Sequence, residues 1–190
     1  FFKNGPASFF EGSISSFPSD TIHAVDLLRW FAGGKAIKAA TIQGQVEDVV
    51  PNSWNSVIAF DNGVTGILKA NYKTGGRVHT FEIHGPKASA FINLGFGDAT
   101  AKADILVHGG APIYSVASQG GRAHDHIHLD GLELAGSEEF FQYYGFLQED
   151  RAFIESVRTR SEPLVGISEG VESIRLVEML LGSIIHKSGC

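Results

Sequence analysis

Between Phe17 and Gly34 the apolar residues Ile22, Ala24, Val25, Leu27, Leu28, Trp30 and Phe31 surround a helical projection nearly all the way round. That pattern predicts a buried or doubly packed helix. Pro18 ends an extended approach, Ser19 or Asp20 can cap the helix, and Gly33-Gly34 can close it. His23 and Asp26 interrupt the apolar surface and therefore need partners. Upstream, Phe9, Phe10 and Ile14 fit either a short strand or an irregular approach.

After Gly34 the period changes to two. Ala40 to Val49 alternates, and Trp54, Ser56, Ile58 and Phe60 point one way while Asn55, Val57 and Ala59 point the other. Asp61-Asn62-Gly63 supplies a tight hairpin turn, from which Val64 to Tyr72 returns with Val64, Gly66, Leu68, Ala70 and Tyr72 on one face. Gly75-Gly76 reads as a break, Val78 to His84 and Ala88 to Asn93 as a strand pair joined at Gly85-Pro86-Lys87, and Gly95 to Asp98 as a loop. Ala103 to His108 and His128 to Ala135 are further strand candidates, separated by a long Gly- and Ser-rich surface loop over 109–127.

From Ser137 the period is helical. Phe140, Tyr143, Tyr144, Leu147, Ile154 and Val157 form one apolar stripe, with Gly145 as a kink or break. Ser161-Glu162-Pro163 stops that helix, and Ser168 with Glu169 starts another, whose stripe is Val171, Ile174, Val177, Leu181 and Ile184. The order predicts one α+β domain over residues 1–190, an open, mostly antiparallel sheet with helices packed on one face. On the second face Thr65, Lys69, Asn71, Thr80 and Glu82 mix with Tyr72 or Ile67. Such a face is either simply solvated or a surface for self-association into a homo-oligomer.

Composition narrows the partners. A formal charge of −6 argues against nucleic acid or an anionic membrane. No apolar run approaches the roughly 18 residues that span a bilayer. The single cysteine, Cys190, permits no internal disulfide and fits a reducing, cytoplasmic setting. The abrupt start at Phe1-Phe2-Lys3, without Met, suggests a piece of a longer polypeptide.

The candidate chemistry begins with Asp20 and His23, three residues apart at the start of the first helix, where a carboxylate can orient an imidazole for proton transfer. The plainer alternative is a satisfied structural histidine beside a helix cap. Asp26, in mid-helix, reads as a buried structural acceptor rather than a catalyst. Tyr72, Arg77 and Lys69 are candidate contacts for the hydroxyls of a small-molecule polyol or sugar. His124, His126 and His128 alternate as zinc ligands on a strand would, but a short His-rich tract in a Gly-rich loop is more often solvent-exposed, and no metal is expected. Gly95-Phe96-Gly97 is the nearest approach to a dinucleotide fingerprint and lies between strands; a serine nucleophile elbow is missing too.

The run Asp20-Thr-Ile-His23-Ala-Val-Asp26-Leu-Leu-Arg-Trp-Phe-Ala-Gly33 resembles the signature helix of the glucose–fructose oxidoreductase, inositol dehydrogenase and MocA family. Phe146 to Ile154 and Pro163 to Glu178 are similar to that family's closing helices, and with the Trp54 to Gly85 meander the likeness covers nearly the whole chain. The resemblance implies a fold like the C-terminal domain of glyceraldehyde-3-phosphate dehydrogenase. It also implies a substrate-binding, oligomer-forming domain of an NAD(P)-dependent oxidoreductase acting on sugars, polyols or related hydroxy compounds. The N-terminal Rossmann domain that would hold NAD or NADP is absent from these residues, so the chain alone is expected to bind no cofactor and to be inactive. The family's catalytic histidine maps onto His23 and its acidic partner onto Asp20. The sequence departs from the pattern in that the acid stands three rather than four residues before the histidine, with Ser19 in the usual place and Phe17-Pro18 replacing a Gly pair. A noncatalytic ligand-binding or assembly module of the same fold is the alternative.

Overall fold

The computed structural model describes residues 2–4, 16–95, 101–107 and 126–185. Phe9, Phe10, Ile14, most of the 109–127 loop including His124, and Cys190 lie outside the described residues. In chain order the elements are β1 (Phe2–Asn4), a π-helical turn (Phe17–Thr21), α1 (Ile22–Ala32), β2 (Ala36–Gly44), β3 (Ser53–Phe60), β4 (Thr65–Asn71), β5 (Lys73–Val78), β6 (Thr80–His84), β7 (Ala88–Asn93), β8 (Lys102–Val107), β9 (His126–Asp130), α2 (Gly131–Ala135), α3 (Phe140–Tyr143), α4 (Phe146–Thr159) and α5 (Ile167–Gly182). They fall into two compact units, residues 1–77 with 162–190 and residues 78–161.

The first unit is built on a five-stranded sheet ordered β2-β3-β4-β1-β5. Its core follows from alternation. Trp54, Ile58 and Phe60 of β3 and Leu68 and Ala70 of β4 are buried, and the register sets Trp54 against Ala70 and Ile58 against Gly66. Ala24, Val25 and Ala32 of α1 and Leu176, Val177 and Leu180 of α5 join the same core. Gly66 lets α1 come close: a Cβ there would stand 2.8 Å from Leu28 Cδ2 and 3.1 Å from Phe60 Cε2. The buried hydroxyls of Thr41 and Ser56, opposite each other in β2 and β3, satisfy one another at 2.8 Å. The Asn62-Gly63 turn closes the hairpin with Gly63 at φ 84°, and Asn62 Nδ2 donates to Ala32 O at 2.7 Å, tying the turn to the end of α1.

Five expectations for this unit are corrected. Pro18 does not end an extended approach; it stands in the first turn of a helical segment that starts earlier, where its missing N–H would have had no partner anyway. Neither Ser19 nor Asp20 caps the helix, because both are already inside the π turn. Nor is α1 covered all round, since Trp30 is 69% exposed and Phe31 41%. Gly75 and Gly76 run inside β5 rather than breaking it. β2 begins at Ala36 and ends at Gly44, after which the buried Asn52 side chain pinches the loop by bonding both N–H and C=O of Val46, at 3.0 and 2.7 Å.

The second unit carries a four-stranded antiparallel sheet, β6-β7-β8-β9. The strand expected to continue to Ala135 stops at Asp130, whose carboxylate accepts from the N–H groups of Leu132 and Glu133 at 2.8 and 3.0 Å and so turns Gly131–Ala135 into α2. Gly145, at φ 86°, separates α3 from α4. The stripe Phe153, Ile154 and Val157 of α4 is 63–64% exposed.

Candidate functional site

The π turn and the first turn of α1 carry both candidate catalytic residues, and a buried tyrosine holds the π turn from below. Tyr72 continues the inward set Leu68 and Ala70 and is fully buried, packed edge-on to Trp54 with ring centroids 6.1 Å apart. Its hydroxyl donates to Asp20 Oδ2 at 2.8 Å and lies 3.1 Å from Ser16 O and 2.9 Å from Thr21 Oγ1. Burial pushes the phenol's pKa up; the Thr21 hydrogen bond opposes this, while the hydrogen bond and charge of Asp20 add to it. Tyr72 is therefore neutral at physiological pH and keeps a proton to donate.

Asp20 is half-buried and His23 is exposed. Asp20 takes its hydrogen bond from Tyr72 rather than orienting the imidazole, and His23 makes no hydrogen bond or ion pair with another described residue. The reason is geometric: inside a π turn the Asp20 side chain is directed toward the sheet, where Tyr72 waits.

Further along α1 a polar clamp fixes the helix against α5. Arg29 Nη2 meets Glu169 Oε2 at 2.6 Å and Asp26 Oδ1 at 3.5 Å, and Arg29 Nε donates to Ser173 Oγ at 3.2 Å. The Ser173 hydroxyl donates to Asp26, so Asp26 is an acceptor that joins the two helices, but it is not buried as expected: about half of its side chain is exposed. Partial burial lowers the Arg29 pKa, but the Glu169 hydrogen bond and the charges of Glu169 and Asp26 outweigh it and hold the guanidinium above its ordinary value.

The remaining expected site residues are dispersed. Tyr72 presents its hydroxyl to Asp20 and not to solvent. Lys69 is exposed and lies opposite Asn55 on the outer face of the sheet, the side away from α1. Arg77 is exposed near the end of β5. A cleft of about 660 Å³ opens at the other end of α1, among Arg29, Trp30, Lys35, Asp61, Arg175 and Met179, and none of the five expected site residues lines it. Thr21 and the Arg29–Glu169 pair were not singled out by sequence; their partners are 51 and 140 residues away. A signal for Tyr72 did exist, since its place in the inward alternation of β4 already implied burial.

In the second unit His126 Nε2 and His128 Nδ1 both approach Asp104 Oδ1, at 3.1 and 2.8 Å. The His128 hydrogen bond, joined by that of His126 and by the charges of both rings, holds the Asp104 pKa below its ordinary value against the opposing effect of desolvation. Among the described residues no group of three His, Cys, Asp or Glu side chains is placed to hold a metal ion, and His124 lies outside them. No helix among the described residues is long and apolar enough to cross a membrane.

The family model for the oxidoreductase family, C-terminal alpha/beta domain (GFO_IDH_MocA_C), matches residues 12–189. A comparison with curated proteins finds no match. Among solved structures, UDP-N-acetylglucosamine 3-dehydrogenase from Acidithiobacillus ferrooxidans superposes with a TM-score of 0.69 at 11% identity, over 96% of this chain and 52% of that one. Aldose-aldose oxidoreductase from Caulobacter crescentus, complexed with glycerol, gives 0.66 at 16% identity, over 96% and 50%. An oxidoreductase from Agrobacterium radiobacter in complex with NAD+, L-tartaric acid and magnesium gives 0.66 at 15% identity, over 90% and 47%. At such identities the likeness concerns the fold. The chain spans about half the length of these structures.

Proposed function

We propose, from the premise that this chain belongs to the glucose–fructose oxidoreductase, inositol dehydrogenase and MocA family of oxidoreductases as its C-terminal alpha/beta domain, that it is the substrate-binding half of an NAD(P)-dependent dehydrogenase. Its substrate is a sugar, polyol or related hydroxy compound. The observation that carries this reading is the exposed imidazole of His23, without a hydrogen-bond or ion-pair partner among the described residues, on a helix start that is itself held by buried contacts. An imidazole so placed can take the proton of a substrate hydroxyl, or return it in the reverse direction.

A nicotinamide bound to the parent protein would accept the hydride from the carbinol carbon. The described residues of this chain offer no Gly-rich turn between strand and helix to cradle a dinucleotide, so cofactor binding belongs to a Rossmann half supplied by the parent, and the chain alone is inactive. Asp20 supports the site through the helix start. Lys69 and Arg77 contact substrate only if the complete protein brings them to it. The parent is a cytoplasmic homo-oligomer joined through the outer sheet face, where Ala40, Val57 and Ile67 sit side by side across three strands, with Val57 52% and Ile67 63% exposed. That same face is what favours the second reading, an assembly module without chemistry.

His23→Asn in the complete parent tests the proposal. Turnover falls by about 10²-fold or more if His23 handles the proton. An unchanged rate would assign His23 no catalytic part and leave the assembly reading.

A further inference from the structure

Among the described residues, the hydrogen-bond partners of the Tyr72 hydroxyl all lie in the segment that launches α1. The hydroxyl touches Ser16, Asp20 and Thr21, the residue before the π turn and the last two within it. A phenol has one proton and two lone pairs. With the proton given to the Asp20 carboxylate at 2.8 Å, the Thr21 hydroxyl must donate to the phenol oxygen at 2.9 Å, which sets a directed chain from Thr21 through Tyr72 to Asp20. A π turn is a rare, locally irregular geometry that persists where specific contacts hold it. Here those contacts come from a ring with no exposed surface, wedged against Trp54. His23 follows Thr21 by two residues, so its ring position is set by how this turn is held.

We infer that Tyr72 is a positioning residue, whose buried hydroxyl fixes the Asp20 carboxylate and the π turn and through them the placement of His23. The inference deepens the proposed function and rests on it. It also reassigns Tyr72 from substrate contact to support, because its hydroxyl is fully buried and its one proton is given to Asp20.

Tyr72→Phe keeps the ring and its packing and removes only the hydroxyl. In the complete parent, the expected result is a fall in kcat of about 10-fold or more with KM little changed, the pattern of a misplaced catalytic group. Thr21→Ser, which keeps the donor, retains most of kcat, and Thr21→Val does not. The resonance of the His23 ring Cε1–H, measured in the same variants, shifts in Tyr72→Phe and Thr21→Val and stays in place in Thr21→Ser. A role confined to packing would leave both kcat and that resonance at their parent values in Tyr72→Phe, which would overturn the inference. If His23→Asn is as active as the parent, the functional reading fails; the His23 resonance then still decides whether Tyr72 places that ring.

Discussion

Gly66→Ala tests how closely α1 is seated on the sheet. The new Cβ would lie 2.8 Å from Leu28 Cδ2 and 3.1 Å from Phe60 Cε2, against the roughly 3.5–4.0 Å of a relaxed carbon contact. Phe60 is 2% exposed and has little room to retreat, so the methyl groups of Leu28, which is only partly buried, must shift and repack between α1 and the sheet. Overpacking of this kind costs about 1–3 kcal/mol. Removing a glycine from the unfolded chain returns about 0.4–1 kcal/mol. The net expectation is a loss of about 0.5–2 kcal/mol, read by urea denaturation with tryptophan fluorescence, since Trp54 sits in the core beside Phe17 and Tyr72. Leu28→Ala removes the clashing atoms, so the double variant should be less destabilised than the sum of the two single ones, by about 0.5 kcal/mol or more. A Gly66→Ala protein as stable as the parent, or strict additivity with Leu28→Ala, would refute the close seating of α1 on β4.

Arg29→Met keeps the aliphatic stem but removes the charge that joins α1 to α5. With Glu169 and Asp26 each about half exposed, solvent screening limits the loss to about 1 kcal/mol, measured by the same denaturation. Tyr72 gives a pH signature. Its ionisation is pushed up in the folded state, so above the ordinary phenol value of 10.0 the unfolded chain loses a proton that the folded one keeps. Stability contributed by this group is whole below that pH and declines above it, by up to about 1.4 kcal/mol per pH unit. Tyr72→Phe should flatten that alkaline decline relative to the parent, and identical slopes in the two proteins would contradict the buried neutral phenol.

The most local features were the most legible in the sequence. The alternation of β3 and β4, the Asn62-Gly63 turn and the Gly145 break depend on neighbours within a few residues, and the structure carries each of them. The family likeness was legible from the ordered runs beginning at Asp20, Phe146 and Pro163. What stayed hidden depends on long-range partners. Nothing near Phe2–Asn4 announces that it pairs in parallel with β4 and so separates β4 from β5. The Leu132-Glu133-Leu134 alternation imitates a strand until Asp130 caps it as a helix. The direction of the Asp20 side chain could not be read because spacing along a helix says which residues share a face only if the helix is regular, and a π turn shifts that phase.

The most direct test of the central claim is a titration of NADH and NADPH, followed by nicotinamide fluorescence, into the complete parent polypeptide and into this 190-residue chain. The account predicts saturable binding of at least one of the two by the parent and none by the chain alone. A parent that binds neither would contradict the dehydrogenase reading and favour an assembly role, and binding by the isolated chain would contradict its assignment as the half without the cofactor site.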